Sequence, residues 1–412
     1  MQGASLLLTF TAQLHRNNYT YQTTACTMSS VISGPVLAAA IAPIVGNNGF
    51  PFAAAINAEA PALPNGFPSE LRSKLAWTGA DFADEAKYIL RLTETDLAEV
   101  KQAIADYKSL DQDGYLVEPN TFQLPTLGSK LRALGQDVHF GKGFGVIRGL
   151  DRAGFSVEDL TLAYMGLQSY VAEQRGRQDK RGNMLVHIVA DNSTKQAAEH
   201  HRHSNKSITF HNEEAGDIVS WLTRSTAATG GKCIIASAYT IYNVLAATRP
   251  ELIRTLARSD WPFSMPRFQC RPVIFYEDSK LIMNFGRAAL LGNQAHPRPQ
   301  HLPSLTARQV EALDAIEAIA KASQMEIQTQ AGDIHFINNL AVLHRRESFV
   351  NGEDPSTKRH LVRMRLRSSE HGWPIPKELI QEWDEAFHKK GTKHWHLEPM
   401  PAYFFPLRRQ PN

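Results

Sequence analysis

Two segments far apart in the chain carry side chains of the kinds that bind a transition metal. The first is Ile208-Thr-Phe-His211-Asn-Glu213-Glu-Ala-Gly-Asp217, where apolar and β-branched residues lead to a histidine and, two positions on, a carboxylate. A strand running through Glu213 would place both side chains on one face of a sheet. By itself a His-x-Glu pair is weak evidence in a chain with 16 histidines, where a surface dyad is the commoner explanation. The second segment is Ile334-His-Phe-Ile-Asn338-Asn339-Leu-Ala-Val-Leu343-His344, entered through a Gly332-Asp333 turn and followed by the strand-like Arg359-His360-Leu-Val-Arg363-Met-Arg365-Leu-Arg367. An early His-x-carboxylate, a distant histidine and a strand arginine are the parts of a facial triad that holds iron(II) and leaves positions open. The planar, permanently charged arginine fork suits a carboxylate such as the distal one of 2-oxoglutarate.

Several blocks are similar to the iron(II)/2-oxoglutarate dioxygenases of the taurine dioxygenase (TauD/TfdA-like) type, in their fungal branch. They are Phe210-His211-Asn-Glu213 with Gly216-Asp217-Ile218, Gly230-Gly231-Lys-Cys233-Ile-Ile-Ala-Ser237, Gly332-Asp333 through Leu343-His344-Arg-Arg346-Glu-Ser-Phe349, and Lys358-Arg359-His360-Leu361-Val-Arg363. With weaker matches near Trp77 and from Gly141 to Leu150, the resemblance covers roughly Trp77 to Pro406. It implies that His211, Glu213 and His344 ligate iron, that Arg363 grips 2-oxoglutarate, and that Arg359 is a second basic group near that cosubstrate. The chain departs from the family in two places. Glu213 stands where aspartate is usual, and the longer spacing to Asp217 makes Glu214 a rival ligand. Cys233 stands where a hydroxyl near the cosubstrate is usual, and a thiol is the poorer hydrogen-bonding group.

The elements around these residues can be read in outline. Leu97, Val100, Ile104 and Tyr107 mark an amphipathic helix, with Thr95 and Asp96 available at its start. Gly141-Lys-Gly143-Phe-Gly145 leads into a strand Val146–Leu150; a dinucleotide loop would follow a strand, not precede one. The basic run Gln174–Gly182 reads as a solvated loop without the interleaved aromatics of a nucleic-acid site, and Met184–Val189 as a strand. His200, His201 and His203 form a loop cluster bordering the pocket. A helix over Ser237–Leu256 interrupted at Pro250, a hairpin over Val273–Phe285, and a helix over Thr306–Ser323 with a Thr306/Gln309 cap complete the interval between the two metal-binding segments.

The fold class is therefore mostly β with flanking helices (α+β), and the resemblance implies a double-stranded β-helix (jelly roll, cupin-like) core. Residues 1–60 read as a loosely ordered tail and 61–412 as one dioxygenase domain with helical insertions. At 412 residues, 43% hydrophobic and 21% charged, the chain has ample material for a globular core. A net charge of +3 gives no reason to invoke nucleic acid or a membrane surface. Cys26, Cys233 and Cys270 are scattered thiols without metal-finger spacing, as in a reducing compartment. The first 58 residues contain no Asp or Glu and only Arg16 as a strong base, so cytoplasmic residence is the main expectation and a mitochondrial leader the alternative, with Met28 an alternative start.

The resemblance implies Fe(II), 2-oxoglutarate and O2 as reactants, with decarboxylation of 2-oxoglutarate coupled to C–H oxidation, by hydroxylation, desaturation or ring closure. The substrate expected is small and polar or charged, such as an amino acid or sulfonate of fungal specialised metabolism, contacted by Asn205, Asn212, Arg224 and Asn339. Asn338 and Asn339 have an alternative role in satisfying backbone groups. Homo-oligomerisation is left open. Two competing functions are a non-redox cupin hydrolase or isomerase, which would not need Arg363, and a noncatalytic binding relative.

Overall fold

In the computed structural model the described residues are 63–190, 204–293 and 297–399. The tail 1–60, Cys26, Met28, the histidine cluster His200/His201/His203 and the end of the chain lie outside them. The strands, in chain order, are β1 Ile89–Arg91, β2 Phe144–Arg148, β3 Gln174–Gly176, β4 Val186–Val189, β5 Ile208–His211, β6 Ile218–Ser225, β7 Thr229–Gly230, β8 Cys233–Ser237, β9 Pro262–Phe263, β10 Gln269–Cys270, β11 Ile274–Glu277, β12 Lys280–Met283, β13 Met325–Ile327, β14 Ile334–Asn338, β15 Val342–Arg346, β16 Phe349–Val350 and β17 His360–Arg367.

This is a mixed α/β fold with two principal sheets. The larger has seven strands, ordered β1-β2-β14-β6-β17-β3 with β4 also on β17; the smaller is β13-β8-β15-β5. Among these pairings only β1 with β2 is parallel. The two sheets face each other across a shared interior of Val146, Val219, Trp221, Ile337 and Leu361 from one and Cys233, Ile235, Ile327 and Val342 from the other. Behind the larger sheet, Val362, Met364, Leu366, Ile334 and Phe336 pack on the helices Glu94–Ser109, Leu127–Phe140 and Val157–Ser169. Behind the smaller, Phe210, Ile234, Ala236 and Leu343 pack on Ala238–Thr248, Pro250–Leu256, Ala307–Ser323 and the β11–β12 hairpin.

Strand alternation explains which groups reach the interior. In β17 the apolar Val362, Met364 and Leu366 face the helices, so Leu361, Arg363 and Arg365 point the other way, between the sheets. Such a row of arginines is stable only beside anions or a ligand that supplies them.

Local chemistry accounts for most element ends, with informative corrections. The helix Glu94–Ser109 is capped by Thr93, two residues before Thr95 and three before Asp96: Asp96 Oδ2 accepts from the Thr93 amide at 3.0 Å and Thr93 Oγ1 from the Asp96 amide at 3.2 Å. The cap at Thr306/Gln309, the break at Pro250 and the β11–β12 hairpin fall where the sequence placed them. The basic run from Gln174 is not simply a solvated loop; it opens with β3, and Arg177 and Gln178 are buried. Gly332 takes a φ of +89° at the entry to β14, and a Cβ there would meet the Leu150 carbonyl oxygen at 1.9 Å, so only glycine fits. No described helix is long and apolar enough to cross a membrane.

Candidate metal centre

His211 ends β5 and His344 is central in β15, and the two are direct cross-strand partners. Cross-strand pairing brings their rings to a centroid separation of 4.3 Å. Glu213 lies beyond the end of β5, so strand alternation is not what aims it. Asn339 does that. Its Oδ1 accepts from the Glu213 amide at 2.7 Å, and its Nδ2 donates to the carbonyls of Glu213 and Gly216, both at 3.0 Å. Glu213 Oε1 then stands 4.0 Å from His211 Nε2 and 3.9 Å from His344 Nε2. Among the described residues, His211, Glu213 and His344 are the group whose donor atoms converge as metal ligands would, all within 4.8 Å of one another. Glu214 points elsewhere: its carboxylate lies 3.4 Å from Arg365 and its side chain is 44% exposed.

The donor set fits a facial two-histidine, one-carboxylate site. The Nδ1 of His211 lies 2.9 Å from the Thr209 carbonyl, which fixes the ring with Nε2 toward the centre. Burial, reinforced by the charge of His211, pushes the His344 pKa down to about 3, so its imidazole stays neutral and able to ligate.

The two strand arginines have different surroundings. Arg363, expected at the distal end of 2-oxoglutarate, donates from Nη1 to Glu213 Oε1 and from Nε to Gln178 Oε1 at 3.1 Å. Arg359 instead lies over the Phe349 ring at 5.4 Å, its Cδ 3.2 Å from where a Gly231 Cβ would stand. Gly231 has φ +75°, and a larger residue there would crowd the guanidinium. The nearby Arg359 charge works against the high pKa that burial gives the Cys233 thiol, which is pushed up to about 12. Arg359 has no carboxylate partner among the described residues, and burial, with the Arg346 charge adding to it, lowers its pKa to about 9.

The expected substrate contacts divide. Asn212 lines a cavity of about 390 Å³ that opens onto His211 and Glu213, although its side chain also bonds backbone, with Nδ2 donating to the Asn339 carbonyl at 2.7 Å and Oδ1 accepting from the Phe285 amide at 3.0 Å. Asn339 acts on backbone throughout, as does Asn338, whose Nδ2 donates to the Val138 carbonyl at 3.2 Å. Arg224 does not reach the site. It shares the phase of the outward-facing Leu222 on β6 and forms two 3.0 Å bonds to Glu398. Asn205 is exposed, and its carbonyl accepts from the Phe349 amide at 3.0 Å.

Residues not singled out by the sequence also meet here. Arg271 is buried, lines the same cavity and lies 3.1 Å from Glu382, which also faces Arg267 at 3.4 Å. Its segment carries no motif, so only folding brings it to the cavity. Gln178 was hidden in the basic run.

Two histidines and one carboxylate converging between facing sheets, with a buried Arg359 that has no carboxylate partner among the described residues, fit the class of mononuclear non-heme iron oxygenases that use a carboxylate cosubstrate. Residues 106–365 match the family described as Taurine catabolism dioxygenase TauD, TfdA family. The chain is 34% identical over 348 residues to the taurine hydroxylase-like protein SAT17 of Stachybotrys chartarum, covering 81% of this chain and 89% of that protein. It is 24% identical over 337 residues to FR-33289 synthase of Streptomyces rubellomurinus, covering 77% and 94%. Among solved structures it is similar in fold to asparagine oxygenase in complex with Fe(II), 2S,3S-3-hydroxyasparagine and succinate, with TM-score 0.54, 18% identity and coverage of 68% of this chain and 94% of that one. Similarity to the non-heme iron oxygenase OrfP in complex with Fe and alpha-ketoglutaric acid is comparable, with TM-score 0.52, 16% identity and coverage of 68% and 94%. The chain belongs to the TauD, TfdA family. It is an Fe(II)/2-oxoglutarate-dependent dioxygenase that oxidises a small molecule.

Proposed function

We propose that His211, Glu213 and His344 hold the iron, that Arg359 rather than Arg363 anchors the distal carboxylate of 2-oxoglutarate, and that the substrate is a small polar or charged molecule such as an amino acid or sulfonate. The observation that carries this assignment is the convergence of three donors at one end of the intersheet space, with Arg359 beside Cys233 lacking a carboxylate partner among the described residues. Arg363 already serves the Glu213 carboxylate. Iron(II) bound by these residues, with 2-oxoglutarate and O2, supplies the oxidising power for C–H oxidation. The chain's own part is positional. Thr209 orients His211, Asn339 fixes Glu213, and Arg363 holds the carboxylate from its far side.

The substrate class is supported by the cavity over the metal ligands. Phe263, Met265 and Phe285 give it apolar walls, while Arg271, Arg287 and Asn284 bring polar groups to it. Arg271, whose Nη1 lies 3.1 Å from Glu382 and whose Nε has no hydrogen-bond partner among the described residues, brings a guanidinium that suits an anionic substituent. That a relative is named a synthase of a particular compound and another oxygenase binds hydroxyasparagine favours an amino-acid-like substrate in specialised metabolism. We assign the facing sheets to a double-stranded β-helix within one domain over residues 61–412, acting in the cytoplasm. The non-redox cupin alternatives fall with the family membership.

Anaerobic addition of Fe(II) and 2-oxoglutarate to the full-length protein tests the assignment. The expected result is a weak visible charge-transfer band, lost in Glu213→Ala and requiring much more 2-oxoglutarate in Arg359→Gln. A band unaffected by Arg359→Gln but lost in Arg363→Gln would return the anchor to Arg363, and no band with the wild type would overturn the iron assignment.

A further inference from the structure

Several polar side chains in the intersheet space have no role in the metal centre. His335 alternates with Ile337 on β14 and so faces inward; it is 0% exposed, and neither ring nitrogen has a hydrogen-bond partner among the described residues. Its ring lies flat on Trp221, at a centroid distance of 4.8 Å and 12° between planes. Thr223, two residues along β6 from Trp221, is also 0% exposed, and its Oγ1 likewise has no partner. The two are neighbours across the sheet: the Thr223 amide donates to the Asp333 carbonyl and its own carbonyl accepts from the Gly332 amide, both at 2.8 Å, at the entry to the strand that carries His335. Thr223 also pairs with Leu361, two residues after Arg359.

A buried hydroxyl or imidazole that makes no hydrogen bond costs stability, so each such group in a native fold calls for a partner, a bound ligand among the candidates. We infer that Thr223 and His335 complete the socket for the distal carboxylate of 2-oxoglutarate, each donating one neutral hydrogen bond beside the charged fork of Arg359. The inference rests on the placement of that carboxylate at Arg359 proposed above. The chemistry is complementary. Burial, with the charges of Arg148 and Arg359 adding to it, lowers the His335 pKa to about 3, so the ring is a neutral donor that adds no further charge beside the guanidinium. Thr223 offers a hydroxyl from the larger sheet, while the smaller sheet carries the Cys233 thiol with Arg346 as its cross-strand partner. Trp221 links the two ends of the space: it stacks on His335 and its ring lies 6.5 Å from that of His344.

The test is calorimetric titration of 2-oxoglutarate into full-length protein loaded with Mn(II), which measures affinity without turnover. Thr223→Val and His335→Phe are each expected to weaken binding by roughly tenfold, the effect of one neutral hydrogen bond, with His335→Gln recovering part of the loss. Affinity for 2-oxobutyrate, a 2-oxo acid without a distal carboxylate, should be unchanged in all three. Should the two losses extend equally to 2-oxobutyrate, the residues shape the pocket and do not bind the carboxylate. Unchanged 2-oxoglutarate affinity in Thr223→Val and His335→Phe, with a clear loss in Arg359→Gln, would overturn the inference and leave the Arg359 anchor standing. No loss in Arg359→Gln would instead remove the anchor on which it rests. Melting curves identify a misfolded variant, and in that case Thr223→Ser, expected to bind normally, and His335→Gln carry the comparison.

Discussion

Glu213 and Glu214 are adjacent carboxylates in different surroundings. Glu213 is 9% exposed and faces two histidines and Arg363, with Arg365 at 3.5 Å, whereas Glu214 is 44% exposed with its carboxylate 3.4 Å from the same Arg365. Glu213→Ala is expected to lower Mn(II) affinity by more than the roughly 10–100-fold typical of losing an outer-shell partner, with Glu214→Ala close to wild type in the same titration. Cys233 is enclosed among apolar side chains and its thiol stays protonated at neutral pH. Replacing it with serine buries a hydroxyl beside groups already short of partners. Cys233→Ser is expected to lose about 1–3 kcal/mol, seen as a melting temperature lower by several degrees, with little change in 2-oxoglutarate affinity. A clear gain in that affinity would make the position a cosubstrate contact.

At the scale of elements, the centre depends on the turn between β14 and β15 gripping the turn after β5. Asn339→Ala removes three hydrogen bonds to the backbone at Glu213 and Gly216 and should weaken Mn(II) binding roughly 10–100-fold while the far-UV spectrum is retained. Asp217, immediately before β6, joins that turn to the C-terminal segment. Its Oδ1 accepts from Arg367 Nη1 and Trp383 Nε1, both at 2.7 Å, yet burial raises its pKa from 3.8 to about 6, Arg367 opposing the shift. A carboxyl whose pKa is higher folded than unfolded favours the native state below the unfolded value, and that contribution disappears as pH rises through about 6. Urea unfolding should therefore show wild type losing stability relative to Asp217→Asn between about pH 4 and pH 7; parallel profiles would mean that Asp217 does not titrate in this range.

Across the whole molecule, the two sheets are held together by an apolar interior and by the site itself. His211 and His344 belong to the smaller sheet and Arg363 to the larger, with Glu213 on the turn between β5 and β6. A metal and a dicarboxylate bound there, as proposed, would connect both sheets in the native state alone. Each ligand at a hundredfold over its dissociation constant should add about 2.7 kcal/mol, and the melting temperature should rise in steps with Mn(II) and then 2-oxoglutarate. In Glu213→Ala the metal-dependent step should vanish; its persistence would place the metal elsewhere.

The proposed ligand set could be named from sequence because His211 and His344 are residue types suited to a metal at positions that local patterns mark, and the resemblance implied their roles; the fold brings their donor atoms together with that of Glu213. Glu213 was named for the wrong physical reason: strand alternation cannot aim it, since β5 stops at His211 and a side chain 126 residues away fixes the turn. Arg359 and Arg363 carry the same charge on the same strand, so residue type could not divide their duties; that depends on which one folding sets against Glu213 and which beside Cys233. Arg224 looked available because its charge is visible in sequence, whereas its outward phase on β6 is set by the packing of Leu222. Thr223 and Arg271 sit in a strand and a loop without a motif, and His335 lies inside a block read for His344, so their burial and surroundings emerge only in the fold. Sequence patterns encode what lies along one chain segment; the groups left facing one another between two sheets are settled by long-range register and closure.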